Sequence, residues 1–282
     1  MPSRSSIITR TLMCRDHEAV RFSYDPEKRI ATGKTRTIDA GYLPQGCLDE
    51  SSSFSSKRLS RWLTNRAVPA TRPGIAPVLQ RLSLERPEEL LVAGLGLSLS
   101  DQYWLRPDDS SELSWDAINC FSNDFSPALG KALAPHDPDS DSRALANLEE
   151  QGIVVASSPD SALNSNLPKR WELRDSKRFL VKSGKPANLF QEPLNERIAT
   201  LLCARILPED DFAPYTLEQN GYPRYISACP CMLTSKRNSF PSLTSFFPRI
   251  PPTASHDSKP MPVHVRRTVS RISGANSTPR SS

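Results

Sequence analysis

The sequence lacks an apolar run of about 18 residues, the length that spans a bilayer, so it predicts no membrane segment. Its beginning, "MPSRSSIITR", lacks the apolar core of a signal peptide. The six cysteines follow no disulfide framework, and Cys229 and Cys231 are predicted as free thiols because no other ligand cluster would complete a zinc site. We therefore expect a cytoplasmic protein with reduced thiols.

Glycine is scarce and proline is abundant, with 11 glycines against 26 prolines. The hydrophobic content of 37% is low for a chain that is compact throughout. The four histidines are isolated along the chain, so the sequence does not indicate a histidine base. These features predict a globular part combined with loose segments.

Acidic residues are almost missing from the C-terminal part of the chain. Residues 231–282 contain eight Lys or Arg and one acid, Asp257. Removing these from the 36 basic and 31 acidic residues of the whole chain leaves 28 and 30, a net charge of −2 for residues 1–230. The body is therefore not expected to bind nucleic acid through its charge, whereas the tail would bind polyanions weakly.

The patterning of the body predicts an α+β protein in several parts. Residues 1–133 form a domain in which short strands, such as "AVRFSYDPEKR", precede three short helices within residues 56–94. Residues 134–166, rich in Pro, Asp, Ser and Asn, indicate a surface loop or linker. Residues 167–233 form a strand-rich lobe, and residues 234–282 form a disordered basic tail rich in Ser and Pro.

The lobe shows the order strand, strand, helix, strand, strand. The segments "KRWEL" and "RFLVK" predict a hairpin around residues 174–177, and Asn220-Gly221 marks the turn of a second hairpin. A helix begins near Pro193 between the two hairpins. Five apolar residues form a stripe along this helix, which we expect to face inward: Leu194, Ile198, Leu201, Leu202 and Ile206.

The first hairpin ends on a lysine whose side chain needs an anionic partner. Lys182 shares a face of its strand with Leu180, pointing toward the interior, and a buried ammonium requires an anion. Kinase-type lobes place such a lysine at the phosphates of ATP and fix it with a glutamate on the next helix, which Glu196 would supply. Two alternatives stay open: Lys182 extends into water, and Glu196 is solvated or replaced by Glu192.

Several segments resemble HipA-like serine/threonine kinases of a bacterial subfamily with its own leading domain. They are "GLSLSDQYWLRP", "LSWDAINCFSNDFS", "LPKRWEL" with "KRFLVKSG", "QEPLNERIATLLCARI" and "GYPRYISAC". The resemblance covers residues from about 10 to about 233. It implies a protein-kinase-like fold, Mg²⁺ and ATP as cofactors, and phosphoryl transfer to Ser or Thr of a protein. The family takes its name from the toxin half of a toxin–antitoxin pair, so a protein substrate or an antitoxin-type partner is also implied.

Residue by residue, the resemblance assigns Lys182 to the nucleotide and Glu196 to its helix partner, with Leu180 forming the floor of the site. The strand edge "LPKRW", with Lys169 and Arg170, would replace the loop that covers the phosphates. The segment "ACPCML" falls where the hinge between the lobes lies.

The C-terminal part departs from the family's pattern. Such kinases carry a catalytic aspartate and two metal-binding residues after the hinge, but here Asp257 is the one acid, and Pro262 stands where the pattern requires asparagine. The sequence thus assigns no catalytic or metal-binding residue and predicts a truncated, catalytically incomplete kinase. The change of composition near Lys236 suggests a truncation or an out-of-frame translation. The alternative is a non-catalytic module that binds a partner or nucleic acid through residues 1–130, for example through Trp62 and its neighbouring bases.

Overall fold

The computed structural model describes residues 7–51, 53–134, 158–219 and 224–235, with the main chain alone for residues 32–35. The predicted α+β class is confirmed, since helices accompany two antiparallel sheets. Across these described ranges, no helix is long and apolar enough to cross a bilayer. The predicted basic tail lies outside the described residues apart from its first two positions.

The N-terminal part is built on a four-stranded antiparallel sheet with strand order β3-β2-β1-β4. Its strands are β1 (Ile8–Cys14), β2 (His17–Asp25), β3 (Ile30–Thr37) and β4 (Tyr103–Pro107). The predicted alternation in "AVRFSYDPEKR" is confirmed, because the side chains of Val20, Phe22 and Tyr24 are all buried on one face of β2.

Five helices accompany this sheet in the described residues. They are α1 (Ser56–Arg66), α2 (Ile75–Arg81), α3 (Pro87–Ala93), α4 (Trp115–Ile118) and α5 (Ala128–Leu133). The three helices expected within residues 56–94 are confirmed, and Pro87 occupies the first position of α3, where its missing N–H costs nothing. Leu59 and Leu63 of α1 are fully buried against the sheet.

The lobe contains a second four-stranded antiparallel sheet, with strand order β5-β6-β8-β7. Along the chain, the elements of the lobe are β5 (Lys169–Arg174), β6 (Lys177–Ser183), the helix α6 (Glu192–Cys203), β7 (Thr216–Gln219) and β8 (Tyr225–Pro230). The predicted order of elements is therefore confirmed. Asp175 and Ser176 both have positive φ values, 48° and 61°, as a tight hairpin turn requires. The predicted Asn220-Gly221 turn lies outside the described residues.

The two parts share one hydrophobic core. Met13, Leu97 and Trp104 of the N-terminal part form a single cluster with Trp171 of β5, and Leu180 of β6 packs against it. All described residues belong to one compact unit. The lobe is thus held on the N-terminal part by buried apolar contacts.

The interpretation of residues 134–166 as a surface loop was wrong for residues 158–163. Ser158, Asp160 and Ser161 are fully buried, in and beside a short 3-10 helix at Pro159–Ala162. The main-chain N–H of Trp171 donates a 2.9 Å hydrogen bond to the Asp160 carboxylate, which covers the free edge of β5. The polar composition indicated solvent exposure, but these polar groups bond to one another and to the strand edge instead.

The orientation of α6 also differs from the prediction. Its apolar stripe exists, but it faces solvent, and its five side chains are between 39% and 77% exposed. The face that packs against the sheet carries Pro193, Glu196, Arg197 and Thr200. Hydrogen bonds rather than apolar burial therefore attach this helix to the lobe.

Candidate functional site

Lys182 forms an ion pair with Glu196, which joins β6 to α6. The ammonium lies 2.6 Å from the Glu196 carboxylate, and the two side chains are 17% and 22% exposed. The pair is therefore shielded but still reachable from solvent. The alternatives of a lysine extended into water and a solvated Glu196 do not describe this structure.

Hydrogen bonds to the segment before β7 hold helix α6 in place next to this ion pair. The Thr200 hydroxyl donates to the carbonyl of Ala213 and accepts from the N–H of Tyr215, each at 3.1 Å. Arg197 donates to the carbonyl of Tyr215, also at 3.1 Å. Glu192, the competing glutamate at the start of α6, accepts from the N–H of Lys185 at 3.1 Å and so bonds to the preceding loop instead of to Lys182.

That loop is tightly constrained. Leu189 and Phe190 both adopt positive φ values, 52° and 58°, which are unusual for such side chains. Gly184 lies against Phe190, and a Cβ added there would come within 2.5 Å of the Phe190 Cα atom. Only glycine fits this position, so the loop has a defined path from Lys182 to α6.

Two further side chains complete the surroundings of the ion pair, and neither was predicted. Lys182 donates a hydrogen bond to the Tyr215 hydroxyl and lies 4.4 Å from the centre of that ring. The buried Ser227 hydroxyl donates to the other oxygen of Glu196. No sequence pattern connects Tyr215 with Lys182, since they are 33 positions apart and only the fold brings them together.

These contacts determine the charge of the lysine. Burial acts to lower the pKa of Lys182, but the hydrogen bonds to Glu196 and Tyr215 outweigh burial and raise that pKa overall. Burial raises the pKa of the Tyr215 hydroxyl, although Lys182 opposes this. At neutral pH the site therefore holds a protonated lysine beside a neutral phenol.

A second lysine lies directly across the hairpin. Lys169 of β5 pairs with Lys182 in the strand register, so both side chains lie on the same face. Burial, together with the nearby cations Arg72 and Lys182, lowers the pKa of Lys169 to about 8, although Glu196 opposes this. Within the part of the chain that the structure describes, no hydrogen bond or ion pair engages its ammonium. Two cations thus share one carboxylate, which leaves an excess of positive charge.

Arg170 does not join this arrangement. As the neighbour of Lys169 on a strand, it lies on the opposite face, where it pairs with Val181 in the register. Its guanidinium donates to Glu172 at 2.8 Å and to the carbonyl of Ala134 at 3.1 Å. The prediction of Arg170 as a nucleotide-binding residue is therefore corrected, because strand alternation turns it away from Lys182.

An apolar cavity of about 420 Å³ opens beside the ion pair. Leu180, two positions before Lys182, and Tyr215 form part of its wall, together with Trp171. The predicted hinge segment lines another side through Cys229 to Leu233. The volume suits a small organic ligand. Leu180, which the sequence analysis assigned to the floor of a nucleotide site, is one of the residues that line this cavity.

The described residues do not offer a metal site. They contain no group of three or more His, Cys, Asp or Glu side chains that could hold an ion. Cys229 and Cys231 are free thiols, as predicted, and burial raises the pKa of Cys229 to about 11. The implied Mg²⁺ therefore has no fitting set of ligands in these ranges.

One of the basic residues around Trp62, Arg66, is used within the fold. The Arg66 guanidinium lies 4.9 Å from the Trp62 ring, is buried, and donates to Asp101 at 2.8 Å and to the carbonyl of Gly96 at 3.0 Å. Trp62 itself contacts Tyr103 edge to face. Trp62 and Arg66 therefore have structural roles, which argues against their use in binding nucleic acid.

Comparison of the chain with protein-family models, with curated proteins and with solved structures finds no match. The assignment of a function rests on the geometry of the site and on the resemblance in the sequence.

Proposed function

We propose that the lobe binds the phosphates of ATP with Lys182, held in place by Glu196, as in a HipA-like serine/threonine kinase. The observation that carries this proposal is the 2.6 Å ion pair between a strand lysine and a glutamate of the following helix. Protein kinases use the same pair to position the α- and β-phosphates. The neighbouring Lys169, with its unpaired ammonium among the described residues, adds the charge that a polyphosphate requires.

The apolar cavity would receive the base of the nucleotide. Its wall places Leu180 and Tyr215 directly beside Lys182, so a ligand in the cavity would extend its polar end toward the ammonium. Ser100 and the Tyr215 hydroxyl are polar groups among the residues that line the same cavity. An apolar cavity with a few convergent polar groups is the usual form of a small-molecule site.

For this chain we propose nucleotide binding and not phosphoryl transfer. The family's activity, phosphoryl transfer to Ser or Thr of a protein, requires a catalytic aspartate and metal ligands that the sequence does not supply after the hinge. We therefore derive no step through Mg²⁺. A protein substrate or an antitoxin-type partner belongs to the same proposal, since both follow from the resemblance.

Thermal unfolding with and without ATP tests this proposal through Lys182→Met. At a ligand concentration of about 100 times Kd, binding stabilises the folded state by about 2.7 kcal/mol, which raises Tm by about 5–10 °C in a protein of this size. We expect this rise for the wild type and its loss for Lys182→Met. Lys177→Met, an exposed lysine on the same strand, is the matched control and should keep the rise.

A second candidate, a non-catalytic binding module, is favoured by the exposed apolar face of α6. A contiguous apolar surface of this kind often marks a docking site. The two candidates differ in the same experiment. If Lys182→Met and Lys177→Met respond to ATP alike, the lysine is part of the scaffold and the module is the better description.

A further inference from the structure

We propose that a second, polar cavity at the junction of the two parts binds the terminal phosphates of the same nucleotide, so that helix α1 contributes directly to the site. This inference rests on the proposed function. We name this space the junction cavity; it has a volume of about 290 Å³. Its lining includes Asn65, Ser98, Ser100, Asp101 and Lys169.

Lys169 connects the junction cavity with the ion pair. Its side chain lines the cavity and stands directly opposite Lys182 in the hairpin register. Such opposite residues have Cβ atoms about 5 Å apart. Two lysines that are neighbours on one face of the hairpin can hold successive phosphates of a polyphosphate chain, one at Lys182 and the next at Lys169.

The apolar cavity and the junction cavity also share a lining residue on another segment of the chain. Ser100 lines both of them, and Leu99 beside it lines the apolar one. A ligand whose base occupies the apolar cavity can therefore reach the junction cavity past Ser100. Its middle would lie near Lys182, which bonds to Tyr215 of the first cavity and stands opposite Lys169 of the second. The proposed site thus has an apolar end, a cationic middle and a polar end.

The charges around the junction cavity favour an anion. Asp101 is the one carboxylate among the described residues that line it, and both of its oxygens accept hydrogen bonds from Arg66. Lys169 keeps three N–H donors without a partner in the described part of the chain. Arg72 lies close enough to contribute to the lowered pKa of Lys169, so the region holds more positive charge than its carboxylates neutralise. A phosphate group would relieve this repulsion.

Helix α1 and the segment after α3 supply neutral donors to the same space. Asn65 near the end of α1 is exposed, and its carbonyl accepts a hydrogen bond from the Asn164 side chain. The buried Ser98 hydroxyl accepts from the N–H of Ser100 at 2.9 Å, which leaves its own proton to donate. The amide and the hydroxyl are both suitable for phosphate oxygens.

Isothermal titration at pH 7 with ATP, AMP and tripolyphosphate tests the inference. Asn65→Asp places a negative charge at the junction cavity from an exposed position, so folding should be kept. We expect about a tenfold loss of affinity for ATP and for tripolyphosphate, because one like charge at this range costs more than 1 kcal/mol. AMP, whose single phosphate reaches only Lys182, should change by less than about twofold.

Asn195→Asp, the same substitution at an exposed position of α6, is the control and should leave all three affinities unchanged. Lys169→Gln should reproduce the loss seen with Asn65→Asp. If ATP binds the wild type but neither variant weakens it, the inference fails while the proposed function stands. If ATP and AMP do not bind, but tripolyphosphate binds and responds to both variants, the nucleotide proposal fails and the junction cavity remains a polyphosphate site.

Discussion

Wild-type stability should fall by about 4 kcal/mol relative to Asp160→Asn as the pH rises from 4 to 8, since each unit of pKa shift corresponds to 1.36 kcal/mol. Burial raises the pKa of the Asp160 carboxyl from 3.8 to about 7, although hydrogen bonds from Trp171 and Ser158 and the charge of Arg72 oppose this. A raised folded-state pKa gives stability that is complete below pH 4. That stability is lost as the pH passes through 7.

Urea unfolding of the two proteins across this pH range measures the difference. Asp49→Asn is a control of opposite sign, because hydrogen bonds from Ser51 and Ser53 lower the pKa of Asp49. The contribution of Asp49 should therefore be lost on acidification rather than at high pH. A pH-independent difference between wild type and Asp160→Asn would show that this carboxyl is not buried as described.

Trp171→Ala should reduce the free energy of unfolding by about 3–5 kcal/mol, the range for an aromatic residue removed from a core. The side chain is 4% exposed and packs in the cluster that joins the lobe to the N-terminal part. It also forms part of the wall of the apolar cavity. The substitution should thus weaken the attachment of the lobe and the proposed site together.

Trp171→Phe should cost much less, because the buried indole N–H has no hydrogen-bond partner among the described residues and phenylalanine removes that donor. Trp62→Ala, at a half-buried position of α1, provides a comparison outside the shared cluster. Denaturant titration of all three variants gives the values. A loss below about 1 kcal/mol for Trp171→Ala would contradict a shared core between the two parts.

The strands of the lobe could be predicted because their signals are local. The alternation in "RFLVK" and the four residues of the turn set the register of the hairpin, and this register already places Lys169 opposite Lys182. The same alternation separates Lys169 from Arg170. Applying it to both strands would have excluded Arg170 from the site.

The orientation of α6 could not be predicted in the same way. A hydrophobic stripe shows which residues share a face of a helix, but not which face meets the rest of the protein. Here Glu196 and Thr200 bond to Lys182, Ala213 and Tyr215, and these contacts turn the stripe toward solvent.

Asp160 and Tyr215 gave no sequence signal at all. Asp160 stands in a polar stretch that is typical of loops, and its burial depends on the edge of β5 and on the close approach of Gly130, where a Cβ would come within 2.7 Å of the carboxylate. Tyr215 reaches Lys182 only through the path of the chain after α6. Contacts of this kind depend on tertiary structure, which local patterns do not encode.

Labelling with an acyl-phosphate derivative of ATP is the most direct test of nucleotide binding at Lys182. A lysine amine held beside the phosphates attacks the acyl carbon, forms an amide and releases the nucleotide with its phosphate, and peptide mapping then identifies the modified residue. We predict modification at Lys182 or Lys169 that excess ATP prevents, with Lys177 labelled only at the background rate. Labelling spread evenly over exposed lysines, and unaffected by ATP, would contradict the account.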